Sequence, residues 1–134
     1  MKIQYIAPEY VPQVLPAVRS FIASGLAHTD SCTEQHAEAF LCAGQWVLLI
    51  AVADTGEAIG AYVLSFSNSP GKRSAMIVSA AGKGLASNEA KDQVSAIARS
   101  MGATHLQALA RPSAARLYKR VGLVEKASLM EMKL

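Results

Sequence analysis

A glycine-rich turn in the second half of the chain has a sequence that could bind a phosphate group. It reads Ala81-Gly82-Lys83-Gly84-Leu85-Ala86 and connects a short apolar segment to a segment with helical spacing. Glycines let the backbone come close to a ligand, and the free N–H groups at the start of a helix attract anions. The spacing differs from the Gly-x-x-x-x-Gly-Lys-Ser/Thr loop of ATP-binding proteins. The turn therefore fits a phosphate-bearing cofactor, and it equally fits a plain tight connection between a strand and a helix.

A second segment, residues 111–123, places a tyrosine on a short predicted helix. It reads Arg-Pro-Ser-Ala-Ala-Arg-Leu-Tyr-Lys-Arg-Val-Gly-Leu, and the tyrosine is Tyr118. A phenol has an acidity comparable to that of a thiol, so it can return a proton to a leaving thiolate within hydrogen-bond reach. The alternative is a tyrosine that only packs the helix against its surroundings.

The elements that must position these segments begin with four predicted helices. The first covers residues 11–22 and contains Pro16, whose missing N–H should kink the helix or delay its start. The second follows the capping-box sequence Ser31-Cys32-Thr33-Glu34, the third covers residues 90–101, and the fourth is capped by Ser113. Glycines, which adopt positive φ readily, should end the last three helices: Gly44, Gly102 and Gly122.

Apolar runs between turn residues predict the strands. They are residues 3–5, 46–53, 58–66, 74–80, 104–110 and 123–134, the last as one strand or a strand pair. The order β-α-α-β-β-β-α-β-α-β combines an antiparallel meander with a β-α-β crossover. We therefore expect a mixed, mostly antiparallel central sheet with helices on both faces, an α/β fold that some schemes class as α+β.

The composition predicts one folded domain over residues 1–134. Hydrophobic residues make up 51% of the chain and charged residues 17%, a balance typical of globular proteins. The longest apolar stretch, residues 46–53, is too short to cross a bilayer. The N-terminal residues lack the continuous apolar stretch and cleavage site of a secretory signal. We therefore expect a cytoplasmic protein with no membrane partner.

The cysteines, histidines and basic residues indicate neither a metal nor a nucleic acid. Cys32 and Cys42 flank a predicted helix of about 15 Å, beyond the roughly 7 Å limit for the Cα atoms of a disulfide, so we expect separate thiols. The histidines do not join them in a close ligand set, and we predict no metal site: His28, His36 and His105. The net charge of +3 fits an anionic ligand, but no nucleic-acid-binding motif accompanies it.

In this order, the two segments resemble the GNAT superfamily of N-acetyltransferases. That family's cofactor motif, Gln/Arg-x-x-Gly-x-Gly/Ala, aligns with the glycine-rich turn and differs from it at Ala81. Its later motif, Asn-x-x-Ala-x-x-Leu-Tyr-x-x-x-Gly-Phe, aligns with residues 111–123 and differs at Arg111 and Leu123. The order of elements also resembles that of the family over essentially the whole chain, although the N-terminal half has no specific motif.

The resemblance implies an acyltransferase that moves an acetyl group from acetyl-CoA, its co-substrate, to a primary amine of a small molecule or protein. Backbone N–H groups of the turn would hold the coenzyme A pyrophosphate, the preceding strand would pair with the pantetheine arm, and Tyr118 would be the general acid. The implied cofactor-binding residues are Ile77, Val78, Ser79, Gly82, Lys83, Gly84, Leu85 and Ala86.

Departures from the family motifs leave a second function open. Ala81 lacks the long polar side chain usual in the family, and the strand before the turn lacks the acidic residue often used as a base. Glu34, Glu38 and His105 can titrate, but a helix charge or a strand-end histidine explains each better, so no general base is assigned. The alternative is an inactive GNAT-like structural or partner-binding protein, for example of a bacteriophage, that assembles, also as a homo-oligomer, through an exposed strand edge.

Overall fold

The structure is a computed structural model that describes residues 1–27, 29 and 32–134. It contains five strands and four α-helices in these residues, with a short 3₁₀ turn (Pro8–Tyr10) before the first helix. Along the chain they are β1 (Lys2–Ile6), α1 (Val11–Leu26), α2 (Glu34–Cys42), β2 (Trp46–Val52), β3 (Ala58–Ser69), β4 (Lys72–Gly82), α3 (Asn88–Ser100), β5 (His105–Ala108) and α4 (Pro112–Arg120).

The strands form a sheet in the order β1-β2-β3-β4-β5. The first four pair antiparallel, and β5 pairs parallel to β4 after the α3 crossover. One apolar cluster packs under α1 and α2, and a second packs on the opposite face under α3 and beside α4. The predicted fold class, a mixed and mostly antiparallel sheet with helices on both faces, is confirmed.

Helix α1 begins at Val11 and continues through Pro16, so the proline does not delay its start. Pro16 removes one backbone hydrogen bond within the helix. Burial of an apolar stripe against the sheet outweighs that loss, because each buried aliphatic side chain contributes roughly 1.5–3 kcal/mol. The buried stripe consists of Val11, Leu15, Val18, Ile22 and Leu26.

Two helix starts differ from the predicted ones. Thr33 caps α2: its Oγ1 accepts a hydrogen bond from the His36 N–H at 3.2 Å, and His36 Nδ1 accepts one from the Thr33 N–H at 3.3 Å. The predicted cap residue Ser31 lies outside the described residues. The predicted cap at Ser113 is wrong, because Pro112 already occupies the first turn of α4, where no N–H is needed. The glycines predicted to follow three helices do have positive φ.

The last predicted strand, residues 123–134, is wrong. These residues have no regular secondary structure, and Val124, Leu129, Met130 and Met132 are each at least 70% exposed. An alternating apolar pattern forms a strand only where a neighbour supplies hydrogen bonds and a surface to bury. In the described part of the chain, β5 is therefore the edge strand on this side of the sheet.

Candidate active site

Strand β4 carries an extra residue, Val78, at the point where its pairing changes on both sides. Val63 pairs with Ser79 and the next residue, Leu64, pairs with Ile77, so Val78 is skipped. The parallel pairing with β5 also ends at Ile77. A bulge of this kind bends its strand and increases the local twist. Strand β5 ends at Ala108, the partner of Ile77, so beyond Ile77 this edge of β4 has no strand beside it among the described residues.

The bulge places two consecutive side chains on one face of the sheet. Val78 packs in the cluster under α1, and the Ser79 hydroxyl donates a hydrogen bond to the Ile22 carbonyl of α1 at 3.4 Å. Ile77 and Ala80 belong to the opposite cluster. Side chains of a regular strand would alternate. Helix α1 thus supports β4 where its pairing with β5 ends.

A cleft of about 180 Å³ opens beside the freed edge of β4. Its walls come from β3, β4, α3 and α4 and are mostly apolar, with Tyr62, Lys91 and Tyr118 as the ionisable lining side chains that the structure describes. Four of the residues predicted to bind the cofactor line it: Ile77, Gly82, Leu85 and Ala86. The others lie on the α1 face of β4, as Val78 and Ser79 do, or on the exposed turn, as Lys83 and Gly84 do.

The glycine-rich turn is fastened to β3 through its backbone. The Lys83 N–H donates a hydrogen bond to the Ile59 carbonyl at 3.0 Å, so this amide is engaged within the protein. Gly82 has a φ of +134°, and a Cβ at this position would meet the Ile59 and Gly60 backbone. Only glycine fits both the dihedral angle and the close contact. The turn is therefore held at one geometry by its glycine and by the Lys83 hydrogen bond.

Backbone N–H groups are available in the rest of the turn and at the start of α3. The N–H groups of Gly84, Leu85 and Ala86 donate to no acceptor in the described part of the chain. Ser87 caps α3 by accepting from the Ala90 N–H at 3.1 Å, and its hydroxyl donates to the Gly84 carbonyl at 2.7 Å. The first N–H groups of a helix lack helical partners and attract anions. This end of the cleft can therefore receive a phosphate.

Two phenols lie in the cleft. The Tyr62 hydroxyl of β3 donates a hydrogen bond to the Leu85 carbonyl at 2.8 Å. Burial raises the pKa of Tyr62 well above its ordinary value, and the neighbouring charge of ionised Tyr118 adds to the rise. Burial also raises the pKa of Tyr118, whose hydroxyl has no hydrogen-bond partner in the described residues. Tyr118 is thus protonated at neutral pH and free to donate to a ligand.

The three titratable residues considered as bases lie away from the cleft. Glu38 pairs with Arg19 at 2.8 Å, and His105 at the start of β5 contacts the Thr104 hydroxyl at 2.7 Å. Glu34 is the first residue of α2 and lines a separate depression near Leu26. The structure places Glu34 and Glu38 on α2 and His105 at the start of β5, and that none of them acts as a base stays a prediction.

Metal ligands and membrane spans are not found in the described residues. No group of three or more histidine, cysteine or acidic side chains among them could hold a metal ion, and His28 lies outside them. Cys32 and Cys42 are free thiols, as predicted. No helix in the described ranges is long and apolar enough to cross a membrane.

Solved structures of acetyltransferases match this architecture from end to end. A probable acetyltransferase is 17% identical, covers 100% of this chain and 97% of its own, and superposes with a TM-score of 0.71. The ribosomal-protein-alanine N-acetyltransferase from Brucella melitensis biovar Abortus 2308 is 15% identical, covers 100% of both chains and also has a TM-score of 0.71. The chain has the GNAT acetyltransferase fold.

A third GNAT-fold match is an aminoglycoside antibiotic 6′-N-acetyltransferase from Acinetobacter baumannii. It is 16% identical, covers 99% of this chain and 97% of its own, and has a TM-score of 0.69. No protein-family model and no curated protein sequence matches the chain. Identities this low establish the fold alone, and at that level the resemblance drawn from the two motifs is confirmed.

Sequence reasoning missed two residues of β3 that shape the GNAT-fold cleft. Tyr62 stands inside a continuous apolar strand, where nothing distinguishes it from a core aromatic. Gly60 lets the turn approach, because a Cβ there would lie 2.9 Å from the Ala81 carbonyl oxygen and 3.1 Å from Leu85 Cδ1. A glycine inside a strand is a known signal of close backbone approach, so Gly60 could have been identified.

Proposed function

We propose that the chain is an N-acetyltransferase that transfers an acetyl group from acetyl-CoA to a primary amine. The observation that carries this proposal is the unpaired edge of β4 beyond Ile77, which lies beside the same cleft as Tyr118 of α4. The glycine-rich turn and the start of α3 lie at the end of the same edge. The shared acetyltransferase fold supports the proposal further.

Acetyl-CoA would lie along β4 beyond the bulge. The amide groups of its extended pantetheine arm can pair with the backbone of Val78 and Ser79, as an added strand pairs with a sheet edge. The pyrophosphate would face the free N–H groups of residues 84–86 and the start of α3. Gly82 would supply the bend of the turn. Lys83 would contribute its cationic side chain rather than its amide, because that amide is hydrogen-bonded to the Ile59 carbonyl. A cleft of about 180 Å³ suits the acyl and pantetheine portion, with the nucleotide outside.

Acetyl transfer would proceed by direct attack of the amine on the thioester. The neutral amine nitrogen forms a bond to the acetyl carbon, the carbon–sulfur bond breaks, and the sulfur leaves as a thiolate. Tyr118 donates its proton to that sulfur and regains one from water. The apolar walls that raise the Tyr118 pKa would also raise the pKa of the coenzyme A thiol. The pKa values of the proton donor and the proton acceptor would therefore stay close to each other.

The proton of the attacking amine would be lost to water. The other ionisable side chains that line the cleft are Tyr62 and Lys91. A phenol with a raised pKa is a poor base at neutral pH, and Lys91 pairs with Asp92 at 2.8 Å. We therefore propose that turnover rises with pH toward the pKa of the acceptor amine. The acceptor would be a small molecule or a protein amine.

Calorimetry with acetyl-CoA, followed by transfer assays over a panel of amines, tests this function. We expect binding, turnover with at least one amine, and a roughly 100-fold lower kcat in Tyr118→Phe with an unchanged Kd for acetyl-CoA. Tyr10→Phe is the matched control, because Tyr10 is 55% exposed and does not line the cleft. Full turnover in Tyr118→Phe would remove Tyr118 from the mechanism, and binding without transfer to any amine would count against an enzyme.

The second candidate function is a GNAT-fold protein without catalysis that binds a protein partner. Ala81 and the engaged Lys83 amide leave fewer contacts for a pyrophosphate than the family motif provides. Residues 123–134 expose several large apolar side chains, as assembly contacts do. Failure to bind acetyl-CoA at millimolar concentration, together with concentration-dependent self-association or capture of a partner, would favour this candidate.

A further inference from the structure

The Tyr62 hydroxyl connects the middle of the sheet to the glycine-rich turn. Tyr62 lies on β3, is 3% exposed and packs in the apolar cluster under α3. Its hydroxyl donates a hydrogen bond to the Leu85 carbonyl at 2.8 Å, across 23 positions of sequence. We propose that Tyr62 is a positioning residue that orients the turn for the phosphates of coenzyme A, an inference that rests on the proposed function.

The geometry of the peptide bond turns this contact into a constraint on an amide. The Leu85 carbonyl and the Ala86 N–H belong to one planar, trans peptide unit, in which the two groups point in opposite directions. When Tyr62 fixes the carbonyl toward the sheet, the Ala86 N–H must point away from it. Ala86 is exposed and its N–H donates to no acceptor in the described residues, so that N–H is available to a phosphate.

Two further contacts between the turn and β3 are made by the backbone and cannot be removed one at a time. The Lys83 N–H donates to the Ile59 carbonyl at 3.0 Å, and Gly82 packs on the backbone of Gly60. Both lie before Gly84, whereas Tyr62 acts on the peptide after it. The Tyr62 hydroxyl therefore constrains the part of the turn whose amides are free.

A purely structural role would be filled equally well by phenylalanine. The ring of Tyr62 is buried, and phenylalanine would fill the same volume without a polar group that requires a partner. The hydroxyl adds one directional contact with the turn. Since burial raises the Tyr62 pKa, the hydroxyl keeps its proton and its donor role throughout the neutral pH range.

Tyr62→Phe, which removes one oxygen atom, tests the inference. Calorimetry with coenzyme A should give a Kd about fivefold higher than that of the wild-type protein, as expected for the loss of one net hydrogen bond. Pantetheine, which has no phosphate, should bind both proteins equally when followed by NMR titration. Tyr10→Phe is a control that should leave the Kd for coenzyme A unchanged.

The outcomes separate this inference from the proposed function. If the wild-type protein binds coenzyme A and Tyr62→Phe binds it equally tightly, Tyr62 is only a core residue and the inference is overturned. A loss of affinity that is the same for coenzyme A and pantetheine would overturn it too, because the effect would not reach the phosphates. If the wild-type protein does not bind coenzyme A, the proposed function fails and the inference fails with it.

Discussion

The side chain of Ser79 on β4 occupies the space that a side chain on Gly25 of α1 would need. A Cβ built on Gly25 would overlap the Ser79 hydroxyl and would lie 3.0 Å from the Ala80 backbone nitrogen. Ser79 also donates its hydroxyl to the Ile22 carbonyl of the same helix. Helix α1 therefore lies directly on β4 at the bulge, next to the end of its pairing with β5, so its packing supports the strand edge of the cleft.

Gly25→Ala should destabilise the protein by about 2 kcal/mol. Alanine favours a helix over glycine by roughly 1 kcal/mol, but overpacking a buried contact costs about 1–3 kcal/mol, and here the neighbour includes backbone that cannot rotate away. The free energy of unfolding from urea denaturation checks the size and sign of the change.

The free energy of unfolding of two further variants distinguishes a steric clash at Ser79 from an effect of alanine on the helix itself. Ser24→Ala, at an exposed neighbouring position of α1, should change stability by no more than about 0.5 kcal/mol. In a Ser79→Ala background, Gly25→Ala should cost less than it does alone, because the overlapping hydroxyl is gone. Additive effects of the two substitutions would show that the contact between Gly25 and Ser79 carries no energy.

Local patterns predicted the parts of the fold that local forces determine. The glycines after three helices, the meander and the crossover follow from spacing and turn chemistry, and the structure has them. The predicted strand at residues 123–134 is wrong because strand formation depends on a neighbour that the sequence pattern does not reveal. The prediction at Pro16 considered only the lost hydrogen bond. Burial of the apolar stripe of α1 outweighs that loss, and the helix continues through the proline.

The candidate site was predictable only where a motif marks it. The glycine-rich turn and Tyr118 stood out by sequence, and the structure places both beside one cleft. The bulge at Val78 leaves no trace in the sequence, since it arises from how β3 and β4 pair. Tyr62 has the same apolar surroundings in sequence as any core aromatic, and only the fold brings it to Leu85.

The two glycines of the turn should respond differently to alanine. Gly82→Ala should cost about 3 kcal/mol or more, because its φ of +134° is nearly closed to other residues and its Cβ would meet the β3 backbone. Gly84→Ala should cost about 1 kcal/mol, because its φ is +75° and the nearest neighbour is the flexible Met1 side chain at 3.7 Å. Thermal and urea denaturation of the pair check the order. Equal losses would contradict the close packing of Gly82 on β3.

Stability should fall at alkaline pH because of the buried phenol of Tyr62 and the partly buried phenol of Tyr118. Burial raises the pKa of Tyr62 and Tyr118 in the folded protein, so the unfolded chain releases these protons first, near pH 10. Their contribution to the free energy of unfolding is fully retained below about pH 10. Above that pH it is lost, at no more than about 1.4 kcal/mol per pH unit for each group. Urea denaturation across this range should show a smaller decline in Tyr62→Phe than in the exposed control Tyr10→Phe. Equal slopes would contradict the buried environment of Tyr62.

The pH dependence of turnover should reflect the raised pKa of Tyr118. A general acid must be protonated, and the raised pKa of Tyr118 keeps it so up to at least about pH 10. With an accepted amine, kcat should therefore rise with pH as the amine loses its proton and should show no alkaline decline below about pH 10. A decline well below that value that disappears in Tyr118→Phe would mean that Tyr118 ionises too early for this role.

Backbone NMR of the protein titrated with acetyl-CoA tests most directly whether the freed edge of β4 is the cofactor site. We predict saturable shift changes concentrated in residues 78–86 and at the start of α3, with smaller changes around Tyr118. The amides of the opposite depression near Leu26 and Cys32 should not move. Saturable changes confined to that depression, or no change at millimolar acetyl-CoA, would contradict the proposed site.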